Sequence, residues 1–226
     1  MTTYYKENPQ FYVAVDCIIF GLVKEELCLL LTKRRFEPEK GKWSVMGGFV
    51  GKGESVDDAA RRVLFNLTGL QDIYMEQVRA FGDVNRDPGE RVISVAYYAM
   101  LGACQFDPAV LALHNAEWIP LSALPALGFD HPLMVAEALR HIRSRFSTEP
   151  LGFNLLPTLF TLTQLQTLYE TILGRMLDKR NFRKRVAEIP SIVKTDLIDK
   201  TGSRRGAALY RFDQQIYATD SRFFIK

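Results

Sequence analysis

The stretch WSVMGGFVGKGESVDDAARRVLFNLTGL, residues 43–70, decides the fold. Residues 43–50 read as a strand carrying a glycine pair, Gly47-Gly48, where backbone must bend or come close to something. Ser55 can cap a helix, with Asp57 and Asp58 in the first turn, where the helix dipole favours negative charge. The helix runs to Leu67. Thr68-Gly69 then ends it with a residue that tolerates a left-handed backbone.

Working outward, residues 11–22 (FYVAVDCIIFGL) and 27–33 (LCLLLTK) are strands rich in β-branched and apolar residues, with a short turn at 23–26. Strand patterns return at 73–81, 91–101 and 116–121, and Asp87-Pro88-Gly89 makes the turn of the loop 82–90. A helix is predicted over 132–146, with Leu133, Ala136, Leu139 and Ile142 on its buried face. Strands mixed with two helices indicate an α/β (α+β) sandwich. The polar segment STEPLG (147–152) marks a boundary, giving domains at 1–147 and 153–226.

The charge divides at the same place. Residues 1–150 hold 16 Lys/Arg against 19 Asp/Glu, a net of −3, whereas 151–226 hold 13 against 7, a net of +6. A basic tail on a mildly acidic body points to an anionic partner for the tail. Cys17, Cys28 and Cys104 are far apart in apolar segments, which argues against a zinc site or a disulfide framework and suits a reducing, cytoplasmic compartment. No run approaches the ~20 apolar residues of a membrane helix, and the N-terminal MTTYYKENPQ lacks an apolar signal core. No membrane partner and no cofactor are expected.

Within the tail, residues 161–173 predict a helix opened by a capping box, at Thr161/Gln164 or Thr163/Gln166. Asp178 can cap a second helix over 179–189, whose core stripe is Phe182, Val186 and Ile189. Arg180 and Lys184 face away from that stripe, Asn181 and Arg183 flank it, and Lys179 sits at the N-terminal end. Arginine suits guanine, asparagine suits adenine, and either cation suits phosphate, so this is a candidate recognition helix. A strand at 192–198, a turn DKTGSRRG (199–206) carrying Arg204 and Arg205, and a strand at 207–212 read as a wing. The whole is a winged helix-turn-helix for double-stranded DNA. The tail lacks the aromatic platform of single-strand RNA readers.

The run Gly48–Leu70 resembles the Nudix box: G, five residues, E, seven residues, R-E-hydrophobic-x-E-E-x-G-hydrophobic. Gly48, Glu54, Arg62, Leu64, Gly69 and Leu70 fall in register, but the three core glutamates of the pattern fall on Val63, Asn66 and Leu67. In the active family those carboxylates hold the divalent cations that polarise a diphosphate, and valine and leucine offer no ligand. The box therefore reads as scaffold, with no metal bound and no catalytic residue. Asp58 is expected to pair with Arg62 at i+4.

Taken whole, with LTQLQTLYE, DKRNFRKRV and RRG-x-x-LYRF as its specific C-terminal features, the sequence resembles the Nudix-related (NrtR-like) transcriptional regulators. That resemblance implies a degenerate Nudix domain sensing a small molecule and paired winged domains binding a palindromic operator as a homodimer. NPQFYVAVDCIIFG, RDPGERVISVAYYA and FDHP place it nearest the arabinose-responsive AraR-type repressors of sugar catabolism. The expectation is a sugar-operon repressor released from DNA by L-arabinose. The alternatives are an ADP-ribose-responsive regulator of NAD metabolism or a residual diphosphate hydrolase. Candidate effector residues are Arg35, Trp43, Asp87, Glu90, Asn115, Asp130 and His131, whose carboxylates, amide and aromatic face suit sugar hydroxyls and rings. His114 and His141 are taken as surface residues.

Overall fold

The computed structural model of the chain describes residues 3–69, 73–102, 108–201 and 206–225. It resolves into two compact units. The first comprises Met1–Phe20, Leu29–Ala99 and Phe106–Ala138; the second comprises Gly21–Cys28, Met100–Gln105 and Leu139–Lys226.

The strands are β1 (Tyr12–Val23), β2 (Glu26–Lys33), β3 (Trp43–Ser44), β4 (Met46–Phe49), β5 (Met75–Phe81), β6 (Val92–Gly102) and β7 (Ala116–Pro120). Among the described residues these form one sheet in the order β3-β2-β1-β6-β5, with β4 paired to β1 and β7 to β2. Val15, Cys17, Ile18, Ile19 and Phe20 are all buried, so β1 is covered on both faces, as its near-continuous apolar run requires. The helices are α1 (Thr3–Lys6), α2 (Val56–Thr68), α3 (Pro108–Leu113) and α4 (His131–Phe146). α2 is capped as expected: Ser55 accepts from the Asp58 amide, and Gly69 takes the left-handed conformation at φ 71°. It packs on β4, with Ala59, Ala60, Val63 and Leu64 buried.

Two local expectations are corrected. The buried face of α4 is Met134, Val135, Ala138, Ile142 and Phe146, not the Leu133 face; Leu133 is 64% exposed. Both stripes fit a helical period, and the four-residue spacing 134-138-142-146 is the one that meets the core. Asp58 pairs with Arg61 at 2.9 Å rather than with Arg62, because Arg62 is already held by Glu54 at 2.6 and 2.9 Å.

The second unit holds β8 (Phe160–Thr161), α5 (Leu162–Leu173), α6 (Lys179–Ala187), β9 (Ile192–Asp199), β10 (Ala207–Phe212) and α7 (Gln214–Thr219). β8, β10 and β9 form a three-stranded antiparallel sheet in that order. Thr161 and Gln164 complete the capping box of α5, and Asp178 caps α6 through the Asn181 amide. The end of α4 belongs to this unit. Phe146 packs on Tyr169 of α5 (ring centroids 4.6 Å apart), Tyr169 meets Phe182 of α6 edge-on, and Arg143 Nε donates to the Ile172 carbonyl at 2.8 Å. The β1–β2 hairpin tip also belongs here. Lys24 and Glu25 both have positive φ, as a two-residue hairpin turn needs, and Thr171 Oγ1 donates to the Glu25 carbonyl.

The Tyr169 hydroxyl is buried with no hydrogen-bond partner among the described residues. An unsatisfied buried hydroxyl costs about 1–3 kcal/mol. Tyr169→Phe keeps the ring stack and removes that cost, so urea unfolding should show a higher midpoint at an unchanged slope.

Candidate functional site

In the first unit, β1, β4, the loop before β6 and the start of α4 enclose a cavity of about 320 Å³. Its floor is a buried polar cluster. Asp16 interrupts the apolar run of β1 and is 7% exposed; Arg86 is 7% and His131 3% exposed. Arg86 grips Asp130 with two bonds (Nε–Oδ2 3.0 Å, Nη2–Oδ1 2.8 Å), the planar fork that suits a carboxylate. Its Nη2 also reaches Asp16 Oδ2 at 3.4 Å, and Ser94 Oγ donates to the same oxygen at 2.6 Å. Two carboxyl groups thus share one guanidinium.

His131, the first residue of α4, completes the cluster. Its Nδ1 lies 3.3 Å from Ser44 Oγ, whose hydroxyl also reaches the Val45 carbonyl. Nε2 faces Asp16 Oδ1 across 3.6 Å, so a carboxylate and an imidazole edge stand side by side on the cavity floor. Burial holds the imidazole below its ordinary pKa, against the opposing pull of Asp16 and Asp130. In the unfolded chain His131 therefore takes up its proton at a higher pH than in the fold. Its contribution to stability is complete above pH about 6.5 and declines as pH falls below that value. Thermal unfolding from pH 7.5 to 5.5 should show this decline, and His131→Asn should reduce it.

The upper wall is aromatic. Arg34 lies between Phe36 and Phe129 (4.8 and 4.7 Å to the ring centroids) and its Nε donates to the Pro38 carbonyl. Phe129 has φ 52°, a conformation rare for a bulky side chain and of a kind that concentrates at ligand sites. Gly47 stands opposite Asp16 in the β1–β4 ladder, and a Cβ there would collide with Asp16 Oδ1. The glycine pair is thus explained by close approach to the cluster and, at Gly48, to Val63.

Of the effector residues expected from sequence, Asp87 and His131 line this cavity and Asp130 anchors its floor through Arg86. Arg35 lines an adjoining cavity and donates to the Leu113 carbonyl. Trp43 lies beneath Lys33 Nζ, Asn115 makes a turn at φ 50°, and Glu90 is exposed; none of these three lines either cavity. Sequence reasoning missed Asp16, Arg34, Ser44, Arg86 and Phe129. Asp16 had a signal, a lone carboxylate in a strand that is otherwise apolar.

At the box, Glu54 accepts from Arg62 and from the Gly51 amide at 2.7 Å, and Arg62 also reaches the Phe49 carbonyl. The Arg62 hydrogen bonds, first, and the Gly51 amide hold the Glu54 carboxyl down to about 2. Val63 is buried and Asn66 exposed. Among the described residues no group of three or more His, Cys, Asp or Glu is placed to hold a metal ion.

In the second unit, Lys179, Arg180, Asn181, Arg183 and Lys184 of α6 are all exposed, while Phe182, Val186 and Ile189 are buried. Arg185, on the same helix, instead covers the Phe224 ring at 5.1 Å. Arg204 and Arg205 lie outside the described residues. Among the described residues no helix is long and apolar enough to cross a membrane.

A Nudix-type sandwich with a polar-floored cavity, followed by a winged helix with a basic second helix, defines a class of transcriptional regulators. The family model of the NUDIX domain matches residues 10–141, and that of the NrtR DNA-binding winged helix domain matches residues 152–212. The chain belongs to the NrtR family of Nudix–winged-helix regulators. It is 34% identical, over 93% of its length and 86% of the relative's, to the ADPR responsive transcriptional repressor NtrR of Acinetobacter baylyi. It is 32% identical to the ADP-ribose pyrophosphatase of Methanocaldococcus jannaschii over 57% of this chain and 73% of that one. The crystal structure of Shewanella oneidensis NrtR complexed with a 27mer DNA superposes at a TM-score of 0.82, with 26% identity, covering 95% of this chain and 98% of that chain.

These findings overturn the sugar-branch expectation and L-arabinose as effector. The segments behind it explain the error. NPQFYVAVDCIIFG leads into and builds β1, RDPGERVISVAYYA supplies Arg86 and β6, and FDHP opens α4. They are scaffold and cavity floor, and carry no mark of a free pentose.

Proposed function

We propose that this chain is an ADP-ribose-responsive repressor. It binds a palindromic operator as a homodimer through α6 and the wing, and leaves DNA when the effector fills the Nudix cavity. The relationship to the Acinetobacter ADPR responsive repressor along nearly the whole chain carries this reading. The cavity supports it, since the polar floor at Asp16 and His131 and the aromatic wall suit a ribose and a planar base. By the family's reading, genes of NAD metabolism are the targets.

The effector is bound and not hydrolysed. The box positions that would hold divalent cations carry Val63, Asn66 and Leu67, and Glu54 is committed to Arg62 and the Gly51 amide, so the residues present do not fit the metal. A ligand that binds only the native state at about 100 times its Kd stabilises it by about 2.7 kcal/mol. For a chain of this size that raises Tm by roughly 5–10 °C. ADP-ribose should give this shift, L-arabinose none, and incubation with Mg²⁺ should release no AMP. A shift with arabinose alone, or turnover abolished by Glu54→Gln, contradicts the proposal.

A further inference from the structure

A second cavity of about 290 Å³ adjoins the first and shares Arg34, Phe36, Ser44 and Gly47 with it. Its lining brings together Lys33, Arg34, Arg35 and His114 and contains no carboxylate among the described residues. The three cations follow one another at the end of β2, yet none makes an ion pair with an acid among the described residues. Lys33 Nζ lies over the Trp43 ring, Arg34 Nε donates to the Pro38 carbonyl between two phenyl rings, and Arg35 Nη2 donates to the Leu113 carbonyl at 3.0 Å. All of these partners are neutral. They fix the direction of the side chains without pairing them to an acid among the described residues. Three adjacent like charges oriented by neutral partners around one concavity form a site waiting for an anion.

The first cavity is mixed in charge, with Asp16, Glu37 and Asp87 in its lining beside Arg34, Arg86 and His131. A molecule spanning both would meet cations at one end and hydroxyl acceptors at the other. The box helix has no carboxylate set to hold a metal that could neutralise a diphosphate, so that charge must be met elsewhere. We propose that the Lys33–Arg34–Arg35 cavity is a phosphoanion site that takes the effector's diphosphate directly on its guanidinium and ammonium groups, with the ribose lying toward Asp16. The anion site is independent of the effector's identity; only its assignment to ADP-ribose rests on the proposed function.

The test is isothermal titration of the full chain with inorganic pyrophosphate, ADP, ADP-ribose and adenosine. It compares the wild type with Lys33→Gln/Arg35→Gln and with Arg35→Lys. Both residues are exposed, and the circular dichroism and Tm of each variant serve as the folding check. Pyrophosphate and ADP should bind the wild type. The double variant should weaken ADP-ribose by about tenfold or more and abolish detectable pyrophosphate binding. Adenosine should be indifferent to the substitutions, and Arg35→Lys should recover part of the loss. ADP-ribose binding with unchanged affinity in the folded double variant overturns the anion site and leaves the proposed function standing. Pyrophosphate and ADP binding that depends on Lys33 and Arg35, without ADP-ribose binding, supports the site and overturns the effector. Failure of pyrophosphate, ADP and ADP-ribose alike to bind the wild type overturns both.

Discussion

Arg86→Met is expected to lower the unfolding free energy by about 3–5 kcal/mol, the cost of removing one partner from a buried ionic group. Arg86 is the only cation hydrogen-bonded to Asp16 and Asp130 among the described residues, and both its bidentate grip on Asp130 and its reach to Asp16 are lost at once. Ser94 still donates to Asp16, so part of the cluster survives. Because the cluster is the cavity floor, effector affinity should fall together with stability. Denaturant unfolding of Arg86→Met, Asp130→Leu and the double variant checks this. The double variant should cost less than the sum of the singles, since each single change leaves charged groups without a partner. A single-variant cost within ~0.5 kcal/mol of zero, the range of ordinary surface substitutions, would show that the cluster does not hold the cavity.

The second large effect concerns DNA. Arg180→Ala should cost about 1–3 kcal/mol of operator affinity per half-site and relax base preference at one position in each. Arg180 is exposed on α6, opposite the buried Phe182–Val186 face, so unfolding should be nearly unchanged while binding falls. Arg185→Ala is the contrast. Its guanidinium covers Phe224, so its loss should affect stability and leave base preference intact. Footprinting and fluorescence anisotropy on an operator selected from random duplexes separate the two. Unchanged affinity for Arg180→Ala would remove α6 from the role of recognition helix.

Much of this was legible where local chemistry decides the backbone. Ser55, Thr161 and Asp178 cap their helices and Gly69 closes one, because capping needs residues only a few positions apart. Short helices such as 108–113 and 214–219 escaped, being too short to show a period. The buried face of α4 is ambiguous in the sequence because two stripes fit the same helical spacing and only the tertiary neighbours choose between them. The cavity floor was harder still. Asp16 and Arg86 stand 70 positions apart, and Asp130 a further 44, so no spacing rule joins them. Asp87, Asp130 and His131 follow from their chemistry, while Trp43, Glu90 and Asn115, of equally suitable types, fall outside both cavities. The effector was unreadable from the segments that suggested arabinose, since those segments build the sheet.

Filling of the Nudix cavity is expected to release the winged units from DNA. The most direct measurement is anisotropy of a labelled operator bound by the full chain during titration with ADP-ribose, with L-arabinose as the parallel arm. Release by ADP-ribose alone, and its loss in the folded Arg35→Gln variant while effector-free operator binding stays intact, is the expected result. An operator complex indifferent to ADP-ribose, or dissolved by arabinose, would contradict it.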